Sequence, residues 1–176
     1  LGMAVFGSMV KSSLTIFLPT FLTSQGSSLI NAGLSLAALQ FAGAVGTFLA
    51  GPLSDRIGRQ KTLLIAALGS PILMLAFLIL PDIFRLPVLM AIGIFLFAFD
   101  PVTLALVHDV ECSRPAFLNG IYMMVTFTTR SFALIIVGAL GDAFSLRTAY
   151  FISAISGFGI LPFIFLLGRV KTARKM

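Results

Sequence analysis

The sequence predicts an all-α membrane protein with six transmembrane helices. Composition is the first reason: 59% of the 176 residues are hydrophobic and 10% are charged, with a mean hydropathy of +1.09. A soluble domain carries about 25% charged residues, and a chain this apolar lacks the polar surface to face water. The second reason is periodicity, since no segment alternates polar and apolar residues over about 10 positions as barrel strands do. The third is spacing. Short polar stretches cut the chain into six apolar runs, each near the roughly 20 residues a helix needs to cross about 30 Å of hydrocarbon. A net charge of +6 and a pI near 10.3 do not point to nucleic acid, because the basic residues gather in short turns and the tail instead of spreading over a face.

The first run, residues 3–24, has no basic segment ahead of it and no small-residue cleavage site, so it is expected to be a span and not a secretory leader. Ser24-Gln25-Gly26-Ser27-Ser28 separates it from the second, 29–51. The third and fourth, 62–80 and 87–108, flank Pro81-Asp82-Ile83-Phe84-Arg85. The stretch from His108 to Pro115 leads into the fifth, 116–138, and Gly141 to Arg147 into the sixth, 149–168. Pro71, Pro101 and Pro162 fall inside spans, where a missing N–H permits a bend. Gly43, Thr47 and Gly51 give the second span a small-residue face for close helix packing.

Short loops rich in Lys and Arg stay in the cytoplasm. One side of the six-span arrangement holds Arg56, Arg59, Lys61, Arg114, Arg169, Lys171, Arg174 and Lys175, while the other holds Arg85 and Arg147. The chain is therefore expected to keep both termini in the cytoplasm.

Between the second and third spans lies Gly51-Pro52-Leu53-Ser54-Asp55-Arg56-Ile57-Gly58-Arg59-Gln60-Lys61. Taken as a short turn, it uses Gly51 for close approach, Asp55 as an anion and Gly58 for backbone that other residues avoid, with Arg56, Arg59 and Lys61 at the anionic leaflet. The pattern G-x-x-x-D-R-x-G-R between two membrane helices resembles the signature loop of the major facilitator superfamily of transporters. Gln60 stands where that signature usually has a second basic residue, and Lys61 follows it. An offset of 87 residues lays Gly138-Ala139-Leu140-Gly141-Asp142 on Gly51-Pro52-Leu53-Ser54-Asp55, a decayed copy. Each copy follows the second span of a three-span unit. Three is odd, so the units face opposite sides of the membrane, as in the inverted three-helix repeats of this superfamily.

The resemblance covers essentially the whole chain and implies half of a twelve-helix fold, with repeats at about residues 1–86 and 87–176. A start at Leu1, just ahead of a span, fits the C-terminal half, whose partner would be an N-terminal six-helix half. Thr15-Ile16-Phe17-Leu18-Pro19-Thr20-Phe21-Leu22 together with Asn119-Gly120-Ile121-Tyr122-Met123 is also similar to bacterial efflux members of the fosmidomycin-resistance kind. What the resemblance implies is secondary active transport of a small molecule by alternating access, coupled to protons, in the efflux direction, across a prokaryotic cytoplasmic membrane and without a cofactor. It also implies that Asp55 sits against the start of the fifth span at Ser113-Arg114-Pro115, and that the third helix of each unit packs outside the central cavity. Two other readings stay open: a membrane scaffold or assembly subunit with the same fold, and a six-span protein that dimerises into a transporter.

Three charges fall within spans: Lys11, Asp100 and Arg130. Each costs about 2.5–3.5 kcal/mol near a helix centre on insertion scales, so such groups face a cavity or one another. Gln40 in the second span joins them as a polar group. These four are the candidate substrate or ion pathway, with Tyr122, Thr126 and Thr129 on a shared face of the fifth span. Asp100 and Arg130 lie on consecutive antiparallel spans about 8 Å apart along the normal. A structural Asp100–Arg130 ion pair is the alternative to a pathway role. A carboxylate held by a cation resists protonation until a substrate competes for that cation, which would be a coupling device. The excess of basic charge suggests an anionic or zwitterionic substrate. Asp109, Glu111 and Arg114 form a cytoplasmic cluster that either pairs with Arg56 and Arg59 or stands as a solvated loop. The single Cys112 lies near the lone His108 without metal-ligand spacing, and no nucleophile elbow or phosphate-binding loop is present, so an enzyme is not expected.

Overall fold

A backbone amide in hydrocarbon has no water to bond, and helices satisfy every such group within one segment. The computed structural model describes residues 2–108, 115–164 and 166, and among these all regular structure is helical. The helices are α1 (Gly2–Ile16), α2 (Leu18–Ser24), α3 (Leu29–Ile57), α4 (Arg59–Ile79), α5 (Arg85–His108), α6 (Pro115–Ala143) and α7 (Leu146–Gly157), with 3₁₀ turns at Asp82–Phe84 and Phe158–Ile160. Five segments are long and apolar enough to cross a membrane, and α1 with α2 forms a sixth, bent by 56°. The protein is an integral membrane protein, and the described residues supply the expected six spans when the bent pair is taken as one.

Three boundaries differ from the sequence expectation, the simplest being α6, which runs on to Ala143 instead of ending at residue 138. α3 does not end at residue 51. It runs through Pro52 to Ile57, so the stretch expected to be a turn is mostly helix, and the chain reverses at Gly58 alone. That residue has φ +95° and ψ 138°, a conformation nearly closed to residues with a Cβ. No atom lies within 4 Å of where a Cβ on Gly51 would stand, so the close approach expected there does not occur. The first span breaks at Phe17. Pro19 supplies no N–H to the Thr15 carbonyl, and the helix restarts at Leu18 in a new direction. α2 keeps that direction by burying Leu18, Phe21 and Leu22, with Phe21 stacked on Tyr150 at 4.5 Å between ring centroids. The buried Tyr150 hydroxyl in turn donates to the Ser13 carbonyl at 2.7 Å, close to the break. Elsewhere the local signals act as expected: Ser28 caps α3 by accepting from the Asn31 amide, Ser145 caps α7 through the Thr148 amide, and Pro115 opens α6.

The packing follows an exchanged pattern. α5, the first helix of the second three-span unit, packs on α3 and α4 of the first; α1, the first helix of the first unit, packs on α6 and α7 of the second. Such reciprocal packing is what two inverted units require. The third helices are also linked reciprocally. Gln60 at the start of α4 donates to the Ile164 carbonyl, and Arg147 at the start of α7 donates to the Leu78 carbonyl, both at 3.3 Å. Large apolar side chains such as Phe48, Ile79 and Ile135 stay exposed, as lipid-facing surface does. The interior holds two apolar clusters. One includes Val10, Leu14, Phe21, Leu39, Met74, Leu96 and Tyr150, and the other includes Ala50, Leu63, Ala67, Val102 and Ile160.

Candidate functional site

Between residues of the two clusters there is a cavity of about 80 Å³, mostly apolar but with one polar wall. Val10 and Leu96 of one cluster and Ala67 and Ile160 of the other form its apolar wall, with Phe99. Its polar wall comes from three spans: Lys11 and Ser8 on α1, Asp100 and Thr103 on α5, and Tyr122, Thr126 and Arg130 on α6. Ser70 of α4 completes it. Five of the seven residues expected along the pathway or its fifth-span face thus converge on one space. Gln40 does not; it is exposed on α3, away from the cavity. Thr129 also turns aside and lines an apolar groove with Val5, Met9, Phe132, Ala133 and Ile136. Ala67, Ser70 and Ile160 show that the third helix of each unit contributes to the cavity instead of packing wholly outside it.

The Asp100–Arg130 ion pair, the alternative to a pathway role, is not formed. Asp100 bonds Lys11 on α1, not Arg130 on α6. The Lys11 side chain is 13% exposed and that of Asp100 50%, so the pair sits at the edge of the protein interior. Lys11 also lies 4.6 Å above the Phe97 ring, a cation–π contact that partly replaces lost hydration. Arg130 instead reaches the Thr15 hydroxyl at 3.5 Å, a long hydrogen bond. Thr15 donates its own proton to the Lys11 carbonyl at 2.7 Å.

Local chemistry explains the position of Asp100. Pro101 lacks an N–H, so the Phe97 carbonyl one turn back has no helical partner. The Thr47 hydroxyl of α3 shares its one proton between the Gly43 carbonyl of its own helix at 3.0 Å and the Phe97 carbonyl at 3.3 Å, a contact that joins α5 to α3 beside the charged pair. Gly43 makes room for the Phe97 ring: a Cβ there would meet ring carbons at 2.5 to 3.0 Å. At Gly46 a Cβ would strike the backbone of Ile94, and at Gly93 it would strike that of Leu39. α3 and α5 therefore touch backbone to backbone. Gly43 and Thr47 of the expected small-residue face take part, Gly51 does not, and Gly46 and Gly93 complete it. The last two were visible as small residues one turn from Gly43 and Phe97, but their pairing was not.

At the Gly58 end, Arg59 is half-buried and donates to the Ala105 carbonyl, one of the last four of α5, which have no partner within the helix. It is directed to protein, not to lipid headgroups as the sequence suggested. Asp55, Arg56 and Lys61 are exposed. Asp109, Glu111, Ser113 and Arg114, the expected partners of this motif, lie outside the described residues, as does Cys112. On the opposite end, Arg85 bonds Asp82 at 2.8 Å and Gln25 at 2.9 Å.

A bundle of six membrane helices in two exchanged units, with a glycine-aspartate-arginine junction after the second span, defines one class of membrane protein. The Major Facilitator Superfamily matches residues 1–175, and the chain belongs to that family. It is similar to two proteins of Bacillus subtilis (strain 168): the uncharacterized MFS-type transporter YfnC, 30% identical over 123 residues, and the uncharacterized MFS-type transporter YqjV, 32% identical over 108 residues. These matches cover 69% and 60% of this chain, but 30% and 26% of the relatives' lengths.

Proposed function

We propose that this chain is the C-terminal half of a secondary active transporter that moves a small molecule by alternating access, rocking against an N-terminal six-helix half. One observation carries the reading: Lys11, Asp100 and Arg130 meet Tyr122 and Thr126 in a single cavity. Charges within a membrane are costly to insert, and their gathering in one space is what a polar pathway needs. The repeats divide near residue 86, with the Gly58 end and both termini in the cytoplasm and the Gly26 end outside. The membrane is a prokaryotic cytoplasmic membrane. No covalent chemistry or cofactor enters the cycle.

Proton coupling and export are part of the proposal. Asp100 is the only carboxylate among the described residues that lines the cavity, and a proton taken up there would break its bond to Lys11 and so tie the charge of the cavity to the proton cycle. The test is transport by the full-length protein in proteoliposomes against a library of small molecules, with and without an imposed pH gradient. Gradient-dependent flux that Asp100→Asn uncouples is expected. Flux that ignores the gradient removes proton coupling, and absence of flux for every compound removes the transport reading.

A further inference from the structure

Resting on that transport reading, we infer that the substrate is an organic monoanion with an apolar body, and that Arg130 is the group that binds the anion. The inference starts from the cavity's charges. Lys11 is neutralised by its bond to Asp100, so that pair contributes no net charge. Arg130 is left as a full positive charge whose one hydrogen bond among the described residues is the long contact to the neutral Thr15. A guanidinium in a membrane interior is stable when an anion meets it, and no carboxylate of the described chain does so. The bound ligand fills that role.

The surroundings narrow the class. A zwitterion would need a free carboxylate for its cationic end, and Asp100 already holds Lys11. A dianion would need a second uncompensated cation, which the described cavity lacks. One negative charge balances the charges that the described residues bring to the site. A guanidinium offers paired donors to a carboxylate or similar planar oxyanion, and the Tyr122 hydroxyl supplies a further donor on the same wall. Leu96, Phe99 and Ile160 form an opposing apolar surface that favours a hydrocarbon or aromatic body over a sugar or peptide. Arg130 also stands at the position equivalent to Gly43 under the 87-residue offset, so the second unit carries a cation where the first carries its helix seal.

The experiment uses the full-length protein in nanodiscs and three matched sets of ligands: benzoate, 4-phenylbutyrate and 2-naphthoate, with the amine and the alcohol corresponding to each. The readout is the thermal unfolding midpoint as a function of ligand concentration. At least one acid is expected to raise the midpoint while its amine and alcohol do not. Arg130→Lys should weaken the acid's half-maximal concentration by about tenfold, because an ammonium lacks the planar fork. Arg130→Gln should abolish the shift while keeping a normal ligand-free midpoint, since it removes a charge without a partner. Stabilisation by amines over acids, unchanged acid binding in Arg130→Gln, or no shift with any acid would overturn the inference. Proteoliposome flux restricted to cationic or neutral compounds would leave the transport reading standing and remove the monoanion alone.

Discussion

Two helix interfaces occupy equivalent places in the two three-span units and look nothing alike. Where α3 meets α5, Gly43, Gly46 and Gly93 bring the backbones together, and Thr47 takes the carbonyl freed by Pro101. Where α6 meets α1, the 87-residue offset puts Arg130 at the place of Gly43 and Ala133 at the place of Gly46. The helices there pack on each other, but their contact is flanked by the charged cavity and by the apolar groove of Val5, Met9 and Phe132. One interface is a seal and the other an opening. The contrast shows that one helix arrangement provides rigidity or access according to whether the contact positions carry hydrogen or a charged side chain.

The largest expected effect comes from spoiling the seal. Gly46→Leu drives a side chain into the Ile94 backbone, which cannot turn aside, so the cost should exceed the usual overpacking range of about 1–3 kcal/mol. Ala133→Leu on the other interface has the neighbouring groove to enter, and its cost should stay at or below about 1 kcal/mol. Unfolding midpoints of the two variants in detergent decide the matter. Equal losses would break the comparison.

A smaller effect is expected at the charged pair. Lys11→Met and Asp100→Leu should each cost about 1–2 kcal/mol, between the values for exposed and buried pairs because Asp100 is half exposed. The double variant should recover most of that loss, and a double-mutant cycle reads the difference. Additive losses would mean that the two groups do not support each other. Next, Thr47→Val should cost no more than about 1 kcal/mol by removing the proton shared between the Gly43 and Phe97 carbonyls. Thr126→Val, whose hydroxyl bonds only its own helix at Tyr122, should cost less in stability but alter transport. That split sharpens the division between seal and opening. The smallest expected effect is at the junctions: Asp55→Asn should change stability by no more than about 0.3–1 kcal/mol, and Asp142→Asn in the decayed copy by less. If Asp55 favours one transport state, cysteine accessibility in the cavity will shift in the first variant and not in the second.

Much of this was legible in the sequence. Six apolar runs gave six spans, because lipid imposes a length that composition reveals. The charged residues of the cavity could be named, because a charge inside an apolar run has few reasons to exist. Their partners could not be named. Position along a helix gives depth but not direction around the axis, and that direction is set by Gly46 on Ile94 and Gly93 on Leu39, contacts between residues far apart in the chain. Hence the Asp100–Arg130 pair, the alternative reading, is not formed and Asp100 lies on Lys11, while Gln40, at a plausible depth, is exposed on α3 and does not line this cavity. The junction was misjudged for a different reason. Gly51-Pro52 has the composition of a turn, yet a helix can absorb one proline, and Gly58 alone has the backbone that reverses the chain. Gln60 is the converse case: a departure from the family's motif that nonetheless bonds the Ile164 carbonyl, as Arg147 bonds Leu78 in the other unit.

The central claim is that the opening between α1, α5 and α6 is the transport pathway. The most direct measurement places a single cysteine at Thr126 in a cysteine-free form of the full-length protein and reacts it with a membrane-impermeant thiol reagent from each side of sealed vesicles. A second cysteine at Gly46 serves as the contrast, provided that variant folds. The account predicts that position 126 is reached from both sides, in different states of the cycle, and is protected by transported substrate, while position 46 is reached from neither. Reaction at position 126 from one side only, under every condition and indifferent to substrate, would contradict it.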